Sequence, residues 1–114
     1  MTFAEEWMRY LVGRGHAVKA PVGQPRVLLS RSIQGTRYRW LLFCSERSVK
    51  RLTAIEHEGI KRHLSLKRKG KAAEQVYVVV SFQEPVPKVV VLPAAKAFQK
   101  GRIRADKGGI PWHL

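Results

Sequence analysis

Cysteine is almost absent from this chain, and long apolar runs are missing altogether. Cys44 is the single cysteine among 114 residues, so an intrachain disulfide and a thiolate cluster for zinc or iron are both excluded. Apolar runs such as residues 76–80 are far too short to span a membrane. The first residues are acidic where a signal peptide is basic. We therefore predict an intracellular protein of the cytoplasm.

Acidic residues are also scarce, and basic residues are abundant. Eight Asp and Glu stand against 22 Lys and Arg, which gives a formal net charge of +14. Because self-repulsion opposes compaction, such an excess favours a polyanionic partner, and nucleic acid is the commonest. The alternative is a solvated basic surface that keeps the protein soluble. A hydrophobic content of 45% is too high for a disordered basic tail, so we predict one globular domain over residues 1–114.

Two capping boxes predict the starts of two helices. Thr2 with Glu5 precedes apolar positions at helical spacing, and Thr53 with Glu56 precedes a second helix that we expect to end at Gly70. A shorter helix is predicted over residues 94–100.

Runs of β-branched and aromatic residues predict the strands. These runs cover residues 16–20, 26–33, 38–44, 75–82 and 88–92. A helix between strands requires a crossover, so we predict an α/β (α+β) fold with a central mixed β-sheet flanked by helices, in the order α-β-β-β-α-β-β-α. Residues 101–114 are predicted to form a basic, glycine-containing tail, in which Trp112 packs on its own domain or on a second subunit.

Several local strings fit one known family. Residues 15–18 follow the first helix, residues 40–48 (WLLFCSERS) precede the second, and residues 76–80 and 88–98 supply the later elements. Together with the element order, over roughly residues 3–98, they resemble the archaeal Holliday-junction resolvases of the restriction-endonuclease-like, PD-(D/E)xK superfamily. The resemblance implies a homodimer and metal-dependent phosphodiester cleavage, in which carboxylates hold Mg²⁺ and a lysine positions or activates water.

The carboxylates that the resemblance requires are largely missing. The family's aspartate is expected within residues 23–28, where no acid occurs, and its E-x-K positions match Cys44, Ser45 and Glu46. The glutamate of the opening helix falls near Ala4, next to Glu5 and Glu6. We therefore predict a degenerate active site with no metal and no cofactor. Its candidate residues are Glu5, Glu6, Cys44 and Glu46.

Three of these candidates also have a plain structural explanation. Glu5 caps the first helix, and Glu46 is expected to pair with a neighbouring arginine. Cys44 lies within an apolar strand, so we expect a buried and inert thiol. The alternative is an active endonuclease, in which Glu5 or Glu6 holds Mg²⁺ together with Glu46.

Two groups of basic residues are the candidate nucleic-acid contacts. One is the loop after the Cys44 strand, and the other is a run without acids that serves either as a phosphate clamp or as a solvated helix face. Their members are Arg47, Lys50 and Arg51, and then Lys61, Arg62, Lys67, Arg68, Lys69 and Lys71. The resemblance favours the loop, because DNA lies against the active-site face in that fold. Further basic residues flank the hairpin or lie in the tail, namely Arg31, Arg37, Arg39, Lys100, Arg102, Arg104 and Lys107.

We predict a homodimeric DNA-binding protein with a nuclease-like fold that does not cleave DNA with a metal. Its contacts to duplex or branched DNA are expected to be mainly to phosphates, because no recognition-helix or base-stacking motif is evident. The alternatives are the Mg²⁺-dependent endonuclease, with a rearranged site, and an RNA-binding or structural subunit of a larger complex.

Overall fold

The computed structural model describes residues 2–66, 74–105 and 109–112. Within these ranges the chain forms three helices and eight strands. The helices are α1 (Phe3–Gly13), α2 (Ala54–Ser65) and α3 (Ala94–Lys100). The strands are β1 (Ala17–Lys19), β2 (Val27–Arg31), β3 (Arg37–Ser45), β4 (Val49–Arg51), β5 (Gln75–Phe82), β6 (Lys88–Pro93), β7 (Arg102–Arg104) and β8 (Ile110–Pro111). None of the helices described here is long and apolar enough to cross a membrane.

The first two helices begin at the predicted capping boxes. The Thr2 hydroxyl accepts a hydrogen bond from the Glu5 backbone N–H at 3.2 Å, and the Glu5 carboxylate accepts one from the Thr2 N–H at 3.4 Å. Thr53 and Glu56 repeat this exchange at 3.1 and 2.9 Å. Both predicted starts are confirmed, since each box satisfies backbone donors that the first helical turn leaves free. The expected end of α2 at Gly70 lies outside the described residues.

Six strands form the central sheet, in the order β1-β2-β3-β5-β6-β8. Strands β3 and β5 run parallel and are joined through α2, while the other neighbours in the sheet are antiparallel. This is the predicted mixed sheet with a helical crossover. The predicted order lacked β4, β7 and β8, which are strands of only two or three residues. Strands β4 and β7 pair only with each other, as a separate two-stranded ribbon.

The two faces of the sheet bury two separate apolar clusters. On the α1 face, Trp40 and Leu42 pack beneath α1, where Trp7 is 1% exposed. On the opposite face, which we call the α2 face, Leu41 and Val78 pack against α2, α3 and β7. Successive side chains of a strand point to opposite faces, so a residue's place along β3 decides which cluster it joins.

The C-terminal segment folds back onto the α1 face. Strand β8 pairs with β6, and the Trp112 backbone N–H donates to the Pro87 carbonyl at 3.1 Å. The Trp112 ring lies with its centroid 6.0 Å from Phe3, 5.7 Å from Trp7 and 5.5 Å from Tyr10. Trp112 is 8% exposed, so of the two predicted alternatives it packs on its own domain.

Candidate functional site

Cys44 lies near the C-terminal end of β3, on the α1 face. It is exposed, so the prediction of a buried thiol is wrong. The buried positions Trp40 and Leu42 precede it on the same face, and the cover provided by α1 ends before Cys44. Apolar composition reveals the strand but not the point at which the helix stops covering it.

The surroundings of the Cys44 thiol are electrostatically mixed. Partial desolvation of the thiol raises its pKa above the ordinary value, Arg26 and Lys50 oppose this rise, and Glu6 adds to it. The backbone also places Arg26 nearby, because the carbonyl of Arg26 accepts a hydrogen bond from the Leu42 N–H at 2.9 Å. Leu42 and Cys44 share a face of β3. A cation therefore lies beside Cys44 in the segment where the resemblance leads one to expect an aspartate.

The structure brings one candidate carboxylate close to Cys44. Glu6 extends from α1, and its Oε2 accepts a hydrogen bond from the Trp112 indole N–H at 3.2 Å. The Glu5 carboxylate is engaged in the Thr2 cap. Glu46 is exposed in the turn after β3, and its expected ion pair with a neighbouring arginine is absent from the described part of the chain.

These residues do not fit Mg²⁺, the metal that the family resemblance implies. Mg²⁺ prefers several hard oxygen ligands in octahedral geometry. The charges that act on Cys44 are those of the Glu6 carboxylate, which is bound to an indole, and of the cations Arg26 and Lys50, and the thiol itself has a raised pKa. Within residues 2–66, 74–105 and 109–112, no group of three or more His, Cys, Asp or Glu is arranged to hold a metal ion.

Lys50, one of the predicted nucleic-acid contacts, is engaged inside the protein. Its Nζ donates to the Glu56 Oε1 at 2.8 Å, and both side chains are 17% exposed. The same ammonium lies 5.9 Å from the centroid of the Phe43 ring. Partial burial on its own raises the pKa of Glu56, but hydrogen bonds from Lys50 and Thr53 outweigh it and the pKa is lowered. This ion pair joins β4 to the first turn of α2.

The β4–β7 ribbon presents arginines on one face. Arg51 lies directly opposite Arg102, and Val49 lies directly opposite Arg104. Directly opposite residues point to the same side of a sheet, so Arg51, Arg102 and Arg104 share a face, which we call the arginine ribbon. All three are exposed and form no ion pair with any residue described here. This pairing was not predicted, although the alternation Arg-Ile-Arg over residues 102–104 was a usable signal for a short strand.

The buried side of the β4–β7 ribbon packs against the core of the protein. Ile103 is 3% exposed and packs in the cluster of the α2 face. The Leu52 N–H donates to the Gly101 carbonyl at 3.0 Å, and the Ala105 N–H donates to the Ser48 carbonyl at 2.7 Å. These bonds extend the pairing of β4 with β7, and because only residues 46–48 separate β3 from β4, the arginine ribbon lies near the end of β3 that carries Cys44.

Some of the other basic residues predicted to contact nucleic acid are exposed, and the rest lie outside the described residues. Arg47 is exposed in the turn before β4, and Lys61 and Arg62 are exposed near the end of α2. Four members of the basic run, Lys67, Arg68, Lys69 and Lys71, lie outside the described residues.

The mixed sheet, its crossover helix and the helices on both faces define a nuclease-like α/β fold. The fold is similar to that of Hjc from Archaeoglobus fulgidus, a Holliday junction resolvase from an archaeal hyperthermophile. The TM-score is 0.56 at 15% sequence identity, over 82% of this chain and 70% of that chain. No family model matches the chain, and neither does any curated protein. The predicted resemblance to archaeal Holliday-junction resolvases is therefore confirmed in the fold.

Proposed function

We propose that this protein binds double-stranded or branched DNA through backbone phosphates and does not cleave it with a metal ion. The register of the arginine ribbon carries the proposal. Like charges placed directly opposite each other in a sheet are destabilising, and Arg51 and Arg102 are so placed with no carboxylate partner in the described chain. A phosphate backbone supplies the missing counter-charge, because guanidinium groups bind phosphate in a bidentate manner.

The charge at the degenerate active site supports the same function. Arg26 lies beside Cys44 where the resemblance implies a metal-binding carboxylate, and Glu6 is bonded to the Trp112 indole. This arrangement repels a divalent cation and attracts a phosphate. Exposed Arg47 lies in the turn that joins the Cys44 strand to β4 of the arginine ribbon, so further positive charge lies at this end of the sheet.

Branched DNA is the favoured form of the partner because Hjc, the protein of similar fold, is a Holliday junction resolvase. The homodimer remains a prediction from the resemblance, and sedimentation equilibrium at several protein concentrations measures it directly.

The test combines binding and cleavage. A four-way junction, a duplex of the same sequence and a structured RNA are titrated with protein in Mg²⁺ and in Mn²⁺, over a series of salt concentrations. We expect the junction to bind at least as tightly as the duplex, with intact strands and with log affinity falling linearly with log salt. Salt-independent binding contradicts phosphate recognition. Metal-dependent cleavage that disappears in Glu6→Gln or Glu46→Gln supports the endonuclease, and preferential binding of RNA supports the RNA-binding alternative.

A further inference from the structure

A second cationic surface lies at the other end of the sheet. It is a groove of about 560 Å³ across β1, β2 and β3, beside the hairpin that joins β2 to β3. We call it the hairpin groove. Its basic lining residues are Lys19, Arg31, Arg37 and Arg39, and the one acidic residue in its lining is Glu74.

The strand register directs the four cations to one side. Arg31 lies directly opposite Arg37, while Leu29 lies opposite both Lys19 and Arg39. Leu29 packs against the cluster of the α2 face, so the four cations belong to that face. Directly opposite residues lie about 5 Å apart between Cα atoms, and Arg37 and Arg39 lie about 7 Å apart along the strand. Lys19, Arg31 and Arg37 are exposed and form no ion pair within the described chain.

Arg39 is held in place within this groove. Its Nε donates to the Glu74 carboxylate, and its Nη1 donates to the His63 Nδ1 at 3.1 Å. Because a guanidinium can only donate, the His63 Nδ1 is the acceptor of this hydrogen bond, and desolvation, with smaller effects of Arg39 and Arg62 that outweigh Glu74, lowers the pKa of His63. Four cations minus one carboxylate leave the groove with a net charge of +3.

Helix α2 separates the hairpin groove from the arginine ribbon. Near its start, Glu56 bonds to Lys50 of β4, and near its end His63 bonds to Arg39 of the groove. Strand β3 runs from Arg37 at the groove to Ser45 beside the ribbon, a span of about 26 Å at 3.3 Å per residue. The two surfaces are therefore separate places of contact on one molecule.

We propose that the hairpin groove is a second phosphodiester-binding surface, so that each protomer binds two separate stretches of nucleic acid. The proposal rests on the proposed function and extends it. Each of the two surfaces contains a pair of arginines directly opposite each other. In the hairpin groove the pair is Arg31 and Arg37, and in the arginine ribbon it is Arg51 and Arg102. An open groove lined by exposed guanidinium groups suits an extended chain of phosphates, because small ligands usually bind in enclosed sites with much of their surface buried.

Two double variants and a control test the proposal. R31Q/R37Q alters the groove, R51Q/R102Q alters the ribbon, and R9Q/R14Q removes the same charge from exposed positions at α1. A labelled 12-base-pair duplex is titrated at low salt, and the number of duplexes bound per protomer is measured by sedimentation velocity. Thermal unfolding confirms that each variant is folded.

We expect two duplexes per protomer for the wild type and for R9Q/R14Q, and one for each of R31Q/R37Q and R51Q/R102Q. The one duplex that R31Q/R37Q retains should bind with an affinity within about twofold of that of the tighter wild-type site. Two duplexes retained by R31Q/R37Q, or one duplex bound by the wild type, would overturn the second surface while leaving the proposed function intact. Binding of no nucleic acid by the wild type would overturn both. If polyglutamate displaces the labelled duplex from the hairpin groove more readily than unlabelled duplex of equal charge does, the assignment of this groove to phosphodiesters is contradicted.

Discussion

Neutralising the opposed pair of the arginine ribbon should weaken DNA binding and leave the fold intact. Each phosphate contact contributes about 0.9 to the slope of log affinity against log salt on B-DNA. Arg51 and Arg102 are both exposed and both lack a carboxylate partner in the described chain, so we assign them one phosphate each. R51Q/R102Q should then lower the slope by about 1.8. Between 0.05 and 0.2 M salt, the variant should lose about 12-fold less affinity than the wild type.

The same change should slightly stabilise the protein. Because the two arginines lie directly opposite each other, removing their repulsion should raise the free energy of unfolding by about 0.2–1 kcal/mol. A misfolded variant would lose stability and binding together. Weaker DNA binding together with a higher free energy of unfolding would therefore show that the two arginines serve binding and not the stability of the fold.

The assay is fluorescence anisotropy of a labelled duplex at five salt concentrations, with R31Q/R37Q present in every protein compared so that only the ribbon binds duplex, paired with urea unfolding of the same samples. R9Q/R14Q is the control with the same change in net charge. An unchanged slope in R51Q/R102Q would refute the phosphate contacts of the ribbon. An equal change in the control would show that net charge, and not the register of β4 and β7, determines binding.

Three further predictions follow from the described contacts. Lys50→Met should lower the free energy of unfolding by about 2 kcal/mol in urea, since it leaves a partly buried carboxylate unpaired. The lowered pKa of His63 means that the unfolded chain binds the proton first, so stability should fall as the pH drops below 6.5; His63→Gln should reduce that dependence. R26D/C44E/E46K restores the acid and E-x-K positions implied by the resemblance, and Mg²⁺-dependent cleavage of a four-way junction should appear in product gels.

The long elements could be predicted from the sequence because each carries a local signal. Thr2 and Thr53 begin helices through capping boxes that span four residues, and the β-branched runs of β5 and β6 are strands by composition. A parallel pair between β3 and β5 follows from a helix placed between them.

The candidate site depends on contacts between distant parts of the chain, and local patterns do not reveal these. Arg51 and Arg102 become neighbours through two three-residue strands that are about fifty residues apart in the sequence. Whether Cys44 is exposed depends on where α1 ends over the sheet, and Glu6 meets Trp112 only because β8 pairs with β6. The composition shows the excess of basic residues, but only the register of the paired strands shows which of these residues lie opposite each other.

The most direct test of the account is a single titration of an end-labelled four-way junction with wild-type protein in Mg²⁺, analysed in parallel on native and denaturing gels. We predict a complex that forms at low salt and dissociates as salt rises, with every strand at full length. Shortened strands in the bound fraction, or no complex at any salt concentration, would contradict it.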